Sequence, residues 1–236
     1  MSHRLLAAAP LALCVACSGP AATKPALVLR TVQFQGAAIP YALYQPSALG
    51  RGNALPTLLL FHGAGGSGPA FIGSWQSLAE ERGIVLVAPT LSLTAAQETQ
   101  VTELLPAILD DATAGLAVDP KRTYAFGYSA GGYFSFDAAT LLSGRFAGAG
   151  VFAAFIAPDY VWIVDKATRA TPIALYIGDR DQYFSLDQTR GTRDLLLSRG
   201  FPVHYVELPG QDHAYARVSE AVNRDAWEFL SAAALP

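Results

Sequence analysis

The chain has 236 residues, 52% of them hydrophobic and 15% charged, with 16 Lys and Arg against 19 Asp and Glu for a formal net charge of −3. That length and apolar fraction suit one large buried core, and the slightly acidic balance excludes the basic surface that nucleic-acid binding requires. Both cysteines, Cys14 and Cys17, precede the expected domain, so neither a structural disulfide nor a cysteine-based metal site is expected within it.

The chain begins with a short positive segment, Ser2-His3-Arg4, followed by an apolar stretch over 5–15 and then Ala16-Cys17-Ser18. An apolar run of that length behind a positive start reads as a secretion signal and is too short to span a membrane. The small residue before Cys17 resembles a bacterial lipobox, with Cys14 standing where an aliphatic residue is usual. The resemblance implies lipidation of Cys17 and a membrane-anchored lipoprotein; simple secretion or periplasmic release is the alternative. Residues 1–17 are thus expected to be a signal peptide, 18–25 a flexible tether of small and Pro residues, and 26–236 a single domain.

Within the domain, apolar runs predict strands over 27–34 and 39–44, with Gly36 in the connection of an antiparallel edge hairpin. A strand over 57–61, a helix over 71–82, a strand over 84–88 and a helical stretch over 97–116 follow. Val118-Asp119-Pro120 reads as a turn closing that helix, ahead of a strand over 123–126. The remainder predicts a helix over 130–142, strands over 148–155 and 173–177, a helix over 186–199, a strand over 203–208 and a helix over 215–233. Continuous apolar strands alternating with helices predict an α/β domain, its mostly parallel sheet covered on both faces.

The strand over 123–126 runs into Gly127-Tyr128-Ser129-Ala130-Gly131-Gly132, a serine between two glycines ahead of a helix. This is the pattern of a nucleophile elbow: a serine raised on a sharp, strained turn needs minimal side chains two positions to either side. Upstream, the strand over 57–61 ends in His62-Gly63-Ala64-Gly65-Gly66-Ser67-Gly68. In an acyl-transfer enzyme, N–H groups of such a loop and of the residue after the nucleophile stabilise the oxyanion, here Ala64 (with Gly65 as alternate) and Ala130. A phosphate cradle is the competing reading, but the Gly-x4-Gly-Lys and Gly-x-Gly-x-x-Gly spacings are absent.

With Tyr41-Ala42-Leu43-Tyr44, Leu60-Phe61-His62-Gly63, Val118-Asp119-Pro120-Lys121-Arg122-Thr123-Tyr124 and the elbow, the chain resembles the α/β-hydrolase superfamily, nearest to polyhydroxybutyrate depolymerases and feruloyl esterases. The resemblance implies an eight-stranded, mostly parallel sheet and a triad in the order Ser, acid, His. The family's Gly-x-x-Asp-x-x-Val pattern selects Asp181 in Gly178-Asp179-Arg180-Asp181, with Phe184 in place of Val and Asp179 as the alternative acid. Among four histidines, His3 lies in the signal, His62 precedes the oxyanion loop and His204 lies inside the last strand. His213, in the loop behind that strand, is the candidate base.

Only about 17 residues separate the sixth and seventh expected strands, so little or no lid is expected. Tyr160 and Trp162 in that connection are candidate substrate-binding residues, or plain packing. Asp110 and Asp111 point different ways on a helix and read as a solvated face. No cofactor or metal is expected. The expected activity is hydrolysis of a small-molecule or polymer-linked carboxylic ester, with a serine peptidase and a non-catalytic surface-binding lipoprotein as alternatives.

Overall fold

A computed structural model describes residues 24–50, 52–91 and 100–236. The expected signal peptide with Cys17, all of the tether but residues 24–25, and the first three residues of the helical stretch over 97–116 lie outside the described residues.

Among the described residues eight strands form one sheet in the order β1-β2-β4-β3-β5-β6-β7-β8. They are β1 Ala26–Phe34, β2 Ala37–Gln45, β3 Leu55–Phe61, β4 Val85–Pro89, β5 Val118–Tyr128, β6 Gly148–Phe152, β7 Ile173–Gly178 and β8 Val203–Leu208. Every residue of β3, β4, β6 and β7 is buried, which is why their sequences read as continuous apolar runs rather than alternating ones. The edge strand β1 alternates between half-buried and exposed residues. It folds back on β2 through Gln35 and Gly36, both at positive φ (48° and 82°), the two-residue turn that matches strand twist.

Among the described residues seven α-helices cover the sheet: α1 Gly68–Gly73, α2 Gln76–Arg82, α3 Val101–Thr113, α4 Ala130–Thr140, α5 Trp162–Asp165, α6 Leu186–Ser198 and α7 Ser219–Ser231. Alternate residues of β3 divide the core in two. Leu59 and Phe61 join Leu104 and Ile108 of α3, Phe134 of α4, Ile163 of α5 and Leu196 of α6 on one face. Leu58 and Leu60 join Ile72 of α1, Leu78 of α2 and Trp227 of α7 on the other.

Several boundaries differ from the expected ones, four of them by more than the fraying of an end. The helix over 71–82 is two helices broken at Ser74 and Trp75; the Trp75 side chain is fully buried, edge-on against Phe126 at 4.9 Å. The Val118-Asp119-Pro120 segment opens β5 instead of ending a helix, because Leu55 of β3 pairs with Val118 and a register irregularity then absorbs the intervening residues. The strand over 148–155 stops at Phe152, where Ala153 turns to a φ of 54°. The last helix starts later, behind a 3₁₀ turn at Tyr215–Arg217. The β6–β7 connection carries a 3₁₀ turn at Pro158–Tyr160 and the single turn α5, whose Ile163 and Val164 are buried against the domain.

Candidate active site

Ser129 stands between β5 and α4 with φ 53° and ψ −121°, a conformation that costs energy for any residue bearing a side chain. Backbone hydrogen bonds hold it: its N–H donates to the Phe152 carbonyl and its own carbonyl accepts from Gly132, both at 2.8 Å. A Cβ on Gly127 would collide with the Gly131 carbonyl oxygen, and one on Gly131 with the Phe61 carbonyl oxygen. The two glycines therefore let helix and strands close around the serine.

Ser129 Oγ lies 2.8 Å from His213 Nε2, and His213 Nδ1 lies 2.7 Å from Asp181 Oδ2. The Asp181 side chain is 0% exposed and that of His213 11%. A carboxylate only accepts, so Nδ1 carries the imidazole proton and Nε2 is left to accept from the serine hydroxyl. The second carboxylate oxygen, Oδ1, accepts the backbone N–H groups of Tyr183 at 2.8 Å and Phe184 at 3.0 Å. Asp179, the alternative acid, accepts instead from the Gly210 N–H at 2.6 Å, tying the end of β7 to the turn after β8. Asp212, beside the histidine, accepts from the Ala214 N–H at 2.9 Å and shapes its loop.

Further side chains hold the His213 loop. Tyr128, the residue before Ser129, donates its hydroxyl to the His213 carbonyl at 2.9 Å. Burial, then the Asp181 charge, pushes the Tyr128 hydroxyl above its ordinary pKa, which keeps it a donor. The buried Gln211 donates its amide to the carbonyls of Asp212 and Ala214, both at 2.9 Å. The Tyr183 ring, 68% exposed, stands edge-on to the imidazole at 4.7 Å.

The glycine-rich loop after β3 turns tightly, the Gly66 N–H donating to the Gly63 carbonyl at 3.0 Å with Gly65 at φ 72°. That bond uses neither the Ala64 nor the Gly65 N–H. Ala130 opens α4, where the first N–H groups have no intrahelical partner. The loop lies against the serine: a Cβ on Gly63 would be 3.5 Å from Ser129 Cβ. His62 fastens the loop from below, its Nδ1 2.7 Å from the Gly63 carbonyl and its Nε2 accepting the Leu91 N–H at 3.2 Å. The residue precedes the loop, as the sequence says; its anchoring role had one sequence signal, a polar side chain where a buried strand meets a glycine run. Tyr128 was equally visible within the elbow.

Tyr160 and Trp162 lie on the α5 side. The Tyr160 hydroxyl donates to the buried Asp137 of α4 at 2.7 Å, and its ring meets Trp162 edge-on at 5.6 Å, leaving Trp162 41% exposed. Neither lines the crevice of about 420 Å³ that lies between the glycine-rich loop after β3, α1 and residues 214–216, with Phe71, Tyr128 and Tyr215 among its walls. Asp110 pairs with Arg145, while Asp111 accepts from Tyr41 and so bridges α3 to the sheet. Among the described residues no group of three or more His, Cys, Asp or Glu is placed to hold a metal ion.

Comparison with known proteins agrees with this architecture. A bifunctional acetylxylan esterase/xylanase of Neocallimastix patriciarum is 31% identical over 164 residues, 66% of this chain. The chain spans only 23% of that protein's length. Among solved structures, a thermostable esterase matches with a TM-score of 0.72 at 20% identity over 88% of this chain and 63% of its own. The S-formylglutathione hydrolase of Staphylococcus aureus matches with 0.73 at 15% over 90% and 100%, and Est1E of Butyrivibrio proteoclasticus with 0.66 at 18% over 85% and 98%. At these identities the likeness is one of fold, and the fold is that of the α/β-hydrolases. Residues 87–232, more than half of the sequence and a span that holds Ser129, Asp181 and His213, match a single family model: the chain belongs to the dienelactone hydrolase family.

Proposed function

We propose that the protein is a serine hydrolase that cleaves carboxylic esters through an acyl-enzyme on Ser129. The observation that carries this reading is the continuous path from Ser129 Oγ through His213 to the fully buried Asp181, at 2.8 and 2.7 Å. In the first half-reaction, Oγ forms a bond to the ester carbonyl carbon while its proton passes to His213 Nε2. The Ala64 and Ala130 N–H groups receive the charge that develops on the carbonyl oxygen. The carbon–alkoxide bond then breaks, and the Nε2 proton leaves with the alcohol. In the second half, water attacks the acyl-enzyme, Nε2 takes its proton, and the acid departs as Oγ is reprotonated. Asp181 holds the tautomer and offsets the imidazolium charge in both halves.

The relative from Neocallimastix patriciarum is named for two activities. Its esterase activity fits this site, since glycoside cleavage uses a pair of carboxylates flanking the bond, whereas here one buried carboxylate serves a histidine. Because α5 is a single turn packed onto the domain, the β6–β7 connection offers no helical cover for interfacial activation, and soluble short-chain or aryl esters are the proposed substrates. A p-nitrophenyl ester series from acetate to palmitate tests this on the wild type and Ser129→Ala. Activity that peaks at short chains and vanishes in the variant supports the proposal. A long-chain optimum rising above the micelle threshold overturns the substrate class, and activity that survives Ser129→Ala overturns the mechanism.

A further inference from the structure

The crevice borders the machinery through shared neighbours. A Cβ on Gly63 would lie 3.5 Å from Ser129 Cβ, Tyr128 precedes Ser129 and Ala214 follows His213, and all three line it. Its lining is apolar and flat-sided: rings of Phe71, Tyr128 and Tyr215 with the small side chains of Ala64, Ala70, Ala214 and Ala216. Tyr128 and Tyr215 stack at 5.4 Å with 21° between ring planes, and Phe71 tilts against Tyr215 at 5.4 Å. The Tyr215 hydroxyl is engaged by Asn223, and the Ser74 hydroxyl donates to the Phe71 carbonyl at 2.8 Å. No acidic or basic side chain lines the crevice apart from His62, both of whose ring nitrogens face backbone partners.

Volume and position say what it would hold. About 420 Å³ lies within the roughly 300–1,000 Å³ of pockets that enclose small organic ligands, far more than an acetyl group fills. The proton for the departing oxygen comes from His213 Nε2, so the departing group leaves on the histidine's side of the carbonyl. One wall of the crevice is the segment 214–216, which follows His213 in the chain. Resting on the ester-hydrolase reading above, we infer that this crevice receives the alcohol half of the substrate, and that the alcohol is a neutral aromatic ring, a phenol or naphthol. Its specificity-determining residues are Ala70 and Ala216, two exposed positions at which a larger side chain would fill the space.

The test varies the two halves of the ester separately in the wild type, Ala70→Phe and Ala216→Phe. Acetates of ethanol, phenol and 2-naphthol vary the alcohol, and ethyl acetate against ethyl benzoate varies the acid. Comparing each variant with the wild type on the same ester cancels intrinsic reactivity. Expected is a fall of roughly tenfold or more in the naphthyl-to-ethyl ratio of kcat/KM, carried by KM, with the benzoate-to-acetate ratio of the wild type retained. A response in the benzoate ratio instead would make this the acyl pocket and overturn the inference. Unchanged ratios in both series, in variants whose melting temperatures match the wild type, would overturn it as well. Selection by the crevice of acetylated methyl xyloside over phenyl acetate would replace the aryl alcohol with a sugar. If the wild type turns over no ester at all, the ester-hydrolase reading fails by itself; binding of 2-naphthol, weakened in Ala216→Phe, then still decides what the crevice accepts.

Discussion

Replacing Asp181 by Asn should reduce kcat by about 10⁴, close to 5.4 kcal/mol of barrier at 1.36 kcal/mol per decade, with little loss of stability. The size follows from how both carboxylate oxygens are used. Oδ1 accepts two backbone N–H groups, from Tyr183 and Phe184, so the oxygen of an asparagine amide is held at that position. Its NH₂ group must then occupy the Oδ2 position, 2.7 Å from His213 Nδ1. Two donors cannot face each other, so Nδ1 becomes the acceptor and the ring proton moves to Nε2. It then points at Ser129 Oγ, where the serine proton must be taken up. The amide cannot rotate to escape, because rotation would set its NH₂ against two backbone N–H groups at a fully buried site. Steady-state hydrolysis of p-nitrophenyl acetate by wild type, Asp181→Asn and Asp179→Asn, with thermal melts of each, checks this. A loss below tenfold in Asp181→Asn, or an equal loss in Asp179→Asn, would refute the assignment of the acid.

Gly131→Ala should destabilise the fold by more than about 4 kcal/mol, since its Cβ would overlap the Phe61 carbonyl oxygen of a central strand; urea denaturation reads this, and a near-neutral result would mean that helix and strand separate freely. His62→Ala should lower kcat with little change in KM, by at most the roughly 10²–10³ that one oxyanion donor is worth, because the Gly63 carbonyl and the Leu91 N–H lose the ring between them. A KM effect alone would contradict that role. At Asp225, burial raises the carboxyl, but hydrogen bonds from Tyr176 and His204 outweigh it and bring the group below its ordinary pKa of about 3.9. A lowered folded-state pKa stabilises the protein above the unfolded value, and that stability is lost as pH falls through the folded one. The melting-temperature gap between wild type and Asp225→Asn should therefore shrink on acidification from about pH 6 to about pH 3, and a gap that widens would reverse the sign.

Much of this site was legible in the sequence because its demands are local. The elbow needs Gly127 and Gly131 whatever surrounds it, and β3, the buried second half of β5 and β7 announce themselves as apolar runs that end in the loops carrying Ala64, Ser129 and Asp181. What was not legible depends on contacts distant in sequence. Tyr128 reaches the His213 carbonyl across 85 positions and Tyr160 reaches Asp137 across 23, and neither partner can be read from spacing. The start of β5 was misread for the same reason: Asp119 and Pro120 are turn formers by local chemistry, and only pairing with β3 at Leu55 makes their neighbour Val118 a strand residue. The break between α1 and α2 is also tertiary, since Trp75 lies at the centre of the core on α7's side of the sheet.

The central claim is a covalent one, that the acyl group of an ester is transferred to Ser129. Intact-protein mass spectrometry after brief acid quench of a reaction with p-nitrophenyl acetate, followed by peptide mapping, reads it directly. The predicted result is a species heavier by one acetyl group, about 42 Da, with the modification on the peptide bearing Ser129. It should be absent from Ser129→Ala and greatly reduced in His213→Ala, which lacks the base that activates Oγ for acylation. Turnover without any covalent species under these conditions, or acetyl on another residue that persists in Ser129→Ala, would contradict it.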